Sequence, residues 1–306
     1  MTILILGAPD EPHAAFIHQK LTQQGETAVY VDTRLFPAEA TLSLTPDNNT
    51  PGTFQPDSNS PSIDLTTVKS VYWRTHLGIK TPAITDDFAR SMAHREIESA
   101  LGSLFRNLDC LWVNSAEAVI QHQFKGHQLQ LLSRNGLRVP KTLMTNDPKA
   151  VPPFYEACDG KMIYKPIRGG AHTQQIKPED MAPERLKELD KSPVQFQEMI
   201  DGTDIRVYLV GDALFAAEMQ TQALDFRDDP QVNITPITLP DGVASDCHTL
   251  AKTLGLVFSG IDLRRSTTGE YVFIEGNPSP MFLHFEAVTG YPISASLVEM
   301  LVKGLI

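Results

Sequence analysis

Residues 260–280 read GIDLRRSTTGEYVFIEGNPSP, a stretch that carries its own register. Thr268 and Gly269 suit the two-residue turn of a β-hairpin, so each residue of one arm has a fixed partner on the other and Asp262 falls opposite Glu275. Side chains two apart share a face of a strand, so Asp262, Arg264, Glu275 and Asn277 point to one side, with Ile261, Leu263, Val272 and Ile274 on the other. Three hard oxygen donors then converge beside a guanidinium. Two carboxylates about 5 Å apart on paired strands repel one another unless positive charge lies between them. A divalent cation bridging nucleotide phosphates meets that condition. An exposed strand with charges paired across the ribbon fits the apolar backing equally well, but an Asn two residues after the Glu adds nothing to such a face and favours the metal reading. Pro278 and Pro280 end the strand and stiffen it.

Upstream, residues 161–174 read KMIYKPIRGGAHTQ. A strand places Lys165 before a turn containing Gly169 and Gly170, whose backbone can close over phosphate oxygens while the lysine supplies the compensating charge. A plain hairpin loop fits the same residues. Residues 194–212 read VQFQEMIDGTDIRVYLVGD. A β segment broken at Asp201-Gly202 can offer the backbone of Glu198 to Ile200 to an adenine edge, Asp204 to a ribose, and Arg206 to a phosphate or carboxylate. Spacing alone reads this piece as a bulged hairpin with surface charge.

The rest of the chain frames these pieces. Its 306 residues, 42% apolar, suffice for two or three modest domains. A net charge of -11 opposes non-specific binding to nucleic acid or anionic membrane, so an anionic ligand must be held by a local basic cluster. No run of apolar residues is long enough for a membrane span, and MTILILGAP lacks a basic leader, which places the protein in the cytoplasm. Cys110, Cys158 and Cys247 are too scattered for a disulfide framework or a zinc site and read as core thiols. His13, His18, His76, His122, His127 and His284 lack metal spacing, His172 reads as a loop histidine, and no Ser-His-Asp set stands out.

The start is a βαβ pattern: a strand from Thr2 to Leu6, a helix from His13 to Gln24, and a strand from Ala28 to Val31. Residues 41–64, rich in Thr, Ser, Pro, Asp and Asn, suit loose hairpins of weak order. A strand restarts at Ser70, and Asp86 caps one long helix to Asn107. One further helix is expected from Ala116 to Asn135, stopped by Gly136. Strands alternate with short helices in the middle, and the last third pairs a helix over Ser245–Leu254 with two strands and a closing helix over Pro292–Leu305. No internal repeat is present.

Taken together, these pieces resemble the ATP-grasp ligases, and the chain is most similar to the microviridin-type graspetide macrocyclases. Beyond the three stretches above, the resemblance is carried by YVDTRLFP, VYWR, LRVPKTLMTNDPKAVPPFYE, DALFAAEMQTQALDFR and FEAVTGYPIS. It implies an α/β fold, α+β in parts, of three domains: residues 1–114 as a pre-ATP-grasp domain, 115–195 as the central subdomain and 196–306 as the C-terminal subdomain, with ATP between the latter two. It implies ATP and two Mg²⁺ ions. Lys125 and Lys165 match the phosphate-binding lysines, Gln197, Glu198, Met199 and Ile200 the adenine linker, and Asp204 the ribose contact. Asp262, Glu275 and Asn277 match the metal ligands, Arg206 and Arg264 the catalytic arginines, and Asp225 and Arg227 the contacts to the peptide substrate.

The implied activity forms side-chain amide or ester crosslinks in a ribosomal precursor peptide, leader plus core, through an acyl phosphate. The resemblance leaves a homodimer open. The chain departs from the family where Asn-Pro-Asn-Gly-Gln-Trp commonly follows the metal-binding Glu; here Gly276-Asn277-Pro278-Ser279-Pro280-Met281-Phe282 stands instead, closer to RimK-like ligases that add an amino acid to a peptide or small molecule. A non-catalytic, nucleotide-dependent peptide-binding protein is the alternative of another class.

Overall fold

The opening run TILIL is buried along its whole length and forms the strand β1 (Thr2–Leu6). In the computed structural model, which describes residues 1–45, 52–75, 78–168, 173–221 and 231–304, the chain divides into two units. The first comprises Met1–Ala116, Met281–Glu286 and the segment from Pro292; the second comprises Glu117–Pro280 with Ala287–Tyr291.

In the first unit β1 is followed by α1 (Pro12–Gln23) and β2 (Thr27–Val31), the βαβ opening expected from sequence. Glu11 caps α1 by accepting from the Ala14 N–H at 2.6 Å, and Ala14, Ile17 and Leu21 form its buried stripe. Three short strands follow, β3 (Thr41–Leu44), β4 (Gly52–Gln55) and β5 (Ile63–Asp64), paired antiparallel. The composition of this region suggested weak order. Burial of Phe54, only 1% exposed, with Ile63 and Leu65 gives the little sheet an apolar side that the surrounding polar residues conceal. Strand β6 (Val68–Trp73), helix α2 (Asp87–Asn107) and β7 (Leu111–Val113) complete a parallel sheet ordered β2-β1-β6-β7. Asp86 caps α2 through the Ala89 N–H at 2.7 Å, as the sequence implied.

The second unit begins with α3 (Ala116–Gln121) and α4 (Lys125–Arg134). The single helix expected over Ala116–Asn135 is therefore two, interrupted at residues 122–124. No Gly or Pro lies there, so the break is not written in local propensity; it follows the hydrogen bonding described below. Then come β8 (Thr142–Thr145), α5 (Val151–Ala157), β9 (Met162–Lys165), β10 (Gln174–Gln175), α6 (Pro183–Leu186) and β11 (Val194–Glu198), with a four-stranded sheet ordered β10-β9-β11-β8. The remaining elements are β12 (Gly202–Val210), β13 (Ala213–Gln220), β14 (Asn233–Ile237), α7 (Asp241–Leu254), β15 (Phe258–Ser266) and β16 (Tyr271–Asn277). These strands form an antiparallel sheet ordered β14-β13-β12-β15-β16. One face of it is apolar: Ile205, Val207, Ile261, Leu263 and Phe273 pack with Cys247, Leu250 and Leu254 of α7 and Leu132 of α4.

Two last helices are α8 (Leu283–Thr289) and α9 (Ile293–Lys303). Within the first unit, Leu301 of α9 accepts from the Ser70 hydroxyl at 2.7 Å. Phe282, fully buried, donates its N–H to His13 Nε2 at 3.0 Å and lies edge-on to that ring, 5.0 Å between centroids. Among the described residues no helix is long and apolar enough to cross a membrane.

As the last strand of its sheet, β16 has backbone groups that need partners from elsewhere. Gln128 of α4, 2% exposed, supplies them at Gly276, accepting from its N–H at 3.0 Å and donating Nε2 to its carbonyl at 3.0 Å. His122, in the break before α4, reaches the same carbonyl at 3.1 Å across 154 positions of sequence. A β-carbon at Gly276 would come within 2.8 Å of Leu250 Cδ2 on the opposite side. The strand is thus held between α4 and α7. Replacing Gln128 with Leu leaves the Gly276 N–H unpaired and its carbonyl with His122 alone, and should lower stability by about 1–3 kcal/mol. Urea unfolding checks this: the midpoint falls with the slope unchanged, and an unaltered midpoint would show that the clamp contributes nothing.

Candidate functional site

The charged face of the five-stranded sheet is assembled by register. Arg206 of β12 pairs with Asp262 of β15, Asp204 with Arg264, and Asp262 in turn with Glu275 of β16. The pairing read from the sequence is present, although the hairpin reaches it by another route. The loop is one residue longer than expected: Ser266 N bonds Glu270 O at 2.8 Å, Gly269 has φ of +89°, and the partners nearest the turn are Arg265 with Tyr271 and Leu263 with Phe273. An irregularity at Ile274 then adds one residue to β16 and restores Asp262 opposite Glu275. Such a bulge re-aims a side chain. Ile274, expected on the apolar side, lines the cavity instead, and Phe273, 1% exposed, fills the core.

Each acid on this face has its own cation. Asp262 Oδ1 lies 2.5 Å from Arg206 Nη1, Glu275 Oε2 lies 2.8 Å from Lys125 Nζ, and Asp204 Oδ1 lies 2.9 Å from Arg264 Nη1. Arg264 is fixed further by donating to the Gly202 carbonyl at 2.7 Å. The Arg206 guanidinium rests over the Tyr208 ring, 5.0 Å from its centroid, and needs Gly260: a β-carbon there would lie 2.8 Å from Arg206 Cζ and 2.7 Å from Pro280 Cβ. Burial alone would lower the Arg206 pKa, but the Asp262 charge and hydrogen bond outweigh it and raise the value. Lys125 also meets His122 Nε2 at 3.1 Å. Burial, followed by the charge of Lys125, pushes His122 below the ordinary histidine value. Burial would push Glu275 up, but the Lys125 charge and hydrogen bond, with His122 and Lys165 behind them, bring it down to about 2.

Beside this face lies a cavity of about 430 Å³. Of the residues singled out from sequence, its wall holds Lys125, Lys165, Asp204, Asp262, Arg264 and Glu275, together with the run Gln197–Ile200. Arg206 and Asn277 stand outside that lining; the Asn277 carboxamide accepts from Ser279 N at 2.9 Å. Asp225, Arg227, His172 and the Gly169-Gly170 turn lie outside the described residues. In the run, the Gln197 amide donates to Thr142 Oγ1 at 2.9 Å, and the Glu198 carboxylate accepts from Lys141 N at 3.0 Å and Arg138 Nη2 at 3.1 Å. Among the described residues no three His, Cys, Asp or Glu side chains form a metal cluster. Sequence reading missed three residues here: His122, Gln128 and Gln195. The alternation of Gln195 and Gln197 about Phe196 is the signal that could have found the last of them.

A mixed α/β chain with three antiparallel sheets among its described residues and a cation-and-carboxylate cavity has the makings of a nucleotide-using ligase, and comparison with known proteins defines its class. Residues 122–301 match the model of the RimK-like ATP-grasp domain, and residues 2–120 that of the MvdD pre-ATP grasp domain. The chain is 30% identical over 215 residues to the "Probable alpha-L-glutamate ligase 2" of Shewanella amazonensis, covering 65% of this chain and 69% of that one. Among solved structures it is similar to the ATP-grasp ligase PsnB complexed with minimal precursor, with TM-score 0.84 and 32% identity over 99% of this chain and 98% of that one. It is also similar to the macrocyclase MdnC of Microcystis aeruginosa MRC, bound with precursor peptide MdnA, with TM-score 0.85 and 26% identity over 99% of both chains. The chain belongs to the RimK-like ATP-grasp family and is an ATP-dependent ligase, in agreement with the fold and enzyme class expected from the sequence.

The depressed pKa of Glu275 has a sign that solution measurements can read. Its value falls from an ordinary 4.5 to about 2 on folding, so the unfolded chain takes up the proton more readily. The stability it contributes is present above about pH 4.5 and is lost as pH falls toward about 2. Glu275→Gln should therefore flatten the acid limb of urea stability in that window, whereas parallel curves for the two proteins would show that the Lys125 pairing does not bias the titration.

Proposed function

We propose that the chain activates a carboxylate with ATP as an acyl phosphate and passes it to a lysine amine or a Ser/Thr hydroxyl, forming side-chain amide or ester crosslinks in a ribosomal precursor peptide. The observation that carries this reading is the convergence of Asp262 and Glu275 with Lys125, Lys165 and Arg264 on one cavity. The likeness in sequence and fold to PsnB and MdnC supports a peptide, leader plus core, as the substrate.

A carboxylate resists attack because of its charge and resonance, so it needs a leaving group, and moving a phosphoryl group onto it concentrates negative charge that must be met by cations. Lys125 and Lys165 hold phosphate oxygens, the run Gln197–Ile200 faces the adenine, and Asp204 takes the ribose. Asp262, Glu275 and Asn277 offer the hard oxygens that magnesium prefers, so the residues fit two such ions, which neutralise phosphate charge when bound. Arg264, on the cavity wall, meets the reacting carboxylate and its oxyanion, and Arg206 acts beside it, its charge secured by Asp262. Asp225 and Arg227 meet the core peptide. The three-domain division at residues 114 and 195, a homodimer and a cytoplasmic location belong to the same proposal.

A second reading, transfer of a single amino acid onto a peptide or small molecule, is favoured by the sequence relatives named as glutamate ligases. Intact mass separates the readings: loss of water from one peptide indicates a crosslink, gain of a residue indicates ligation, and no ADP release indicates binding without catalysis. Asp262→Ala and Glu275→Ala should each cut ADP formation by roughly a hundredfold or more, the scale of losing one charge-stabilising group, with the circular dichroism spectrum unchanged. Undiminished ADP formation in either variant would remove that residue from the site.

A further inference from the structure

A lysine ammonium rides on a flexible four-carbon stem, so a single contact does not fix it in space. Glu275 Oε2 holds the Lys125 ammonium at 2.8 Å, which alone draws it toward the carboxylate. A second hold comes from His122, in the break between α3 and α4. The ammonium lies 3.1 Å from Nε2 and 3.4 Å from Nδ1, so it rests against the imidazole, nearer Nε2. Lys125, His122 and Glu275 all line the cavity.

The imidazole is itself fixed, and its tautomer follows from what fixes it. A carbonyl oxygen only accepts, so the 3.1 Å contact between Nδ1 and the Gly276 carbonyl puts a hydrogen on Nδ1. In the neutral ring this leaves the lone pair on Nε2, the nitrogen nearer the ammonium. Burial, then the Lys125 charge, both favour that unprotonated ring. The two nitrogens therefore divide their work: Nδ1 ties the side chain to β16, and Nε2 presents its electron pair on the side of Lys125. Clamping β16 needs Nδ1 alone, and Gln128 already donates to the same carbonyl at 3.0 Å. The strand by itself does not call for a side chain that also reaches Lys125.

We propose that His122 is a positioning residue for nucleotide binding: through Nε2 it holds the Lys125 ammonium where phosphate oxygens meet it. This rests on the nucleotide reading given under Proposed function. The test is a double-mutant cycle of ADP binding in the presence of magnesium, by calorimetry on the full chain, over the parent, His122→Asn, Lys125→Met and the double variant. Asn keeps a donor where Nδ1 stands and loses the Nε2 side of the ring. His122→Asn should weaken ADP binding about tenfold in the parent, a coupling ordinary for contacting residues, and less than about twofold when Lys125 is already Met. An equal loss in both backgrounds, or none in the parent, would overturn the proposal and leave His122 as a clamp on β16. His122→Gln reaches further and offers its amide oxygen to Lys125, so it should stay within about threefold of the parent; a loss matching that of Asn would overturn the role of Nε2. The nitrogen NMR spectrum of the His122 ring at about pH 8, above the ordinary histidine range, needs no variant to fold. It should show the hydrogen on Nδ1, and a hydrogen on Nε2 would overturn the assignment. Undiminished ADP binding by Lys125→Met would overturn the phosphate role of Lys125 and this proposal with it, whereas no ADP binding by the parent would overturn the nucleotide reading as a whole.

Discussion

Carboxylates on neighbouring strands of one sheet face cannot coexist there as anions unless each is given positive charge, and this requirement organises the second unit. Asp262 has Arg206, Glu275 has Lys125, and Asp204 has Arg264. The cations come from different places: two from strands of the same sheet, and one from the first turn of α4, 150 positions from its acid. Charge neutrality and tertiary structure are therefore one constraint. Lys125 reaches Glu275 only because α4 begins where it does, and α4 begins there because the chain breaks at residues 122–124 while His122 and Gln128 bind the Gly276 backbone.

Two close approaches let a single hairpin serve this purpose. On the charged face, the absence of a side chain at Gly260 gives the Arg206 guanidinium room to lie beside Asp262; on the apolar face, its absence at Gly276 lets α7 pack against β16. A bulge between them turns Ile274 toward the cavity and sends Phe273 into the core. The ribbon thus presents acids on one side without losing its apolar backing on the other.

How far these features could be read from the sequence varies with their range. The βαβ opening, the Asp86 cap and the facing of Asp262 and Glu275 are short-range, set by turn chemistry and by strand alternation. Even there the hairpin shows that a correct partner can follow from an incomplete rule: the loop is longer by one residue, the bulge adds one back, and the two offsets cancel at the acids. The break at residues 122–124 was illegible because its cause, an edge strand needing partners, lies far downstream. The small sheet of residues 41–64 was masked by polar composition, since one buried Phe54 outweighs many exposed Thr and Asn residues. Gln195 was passed over for a related reason: a polar residue in a strand ordinarily faces water, and only the burial of both neighbours' faces shows that it does not.

The same ordering explains why the nucleotide chemistry is easier to place than the acceptor. Neutralising phosphate charge demands cations and hard oxygens at fixed spacing, and that demand leaves a signature in any chain that meets it, whether the amine belongs to a peptide or to a free amino acid. After Asn277 the chain runs through two prolines to Phe282, which is buried and tied by its N–H to His13, so the end of that segment is fixed by packing rather than by chemistry. Phe282 is held as a buried anchor, whereas Met281 beside it is 72% exposed.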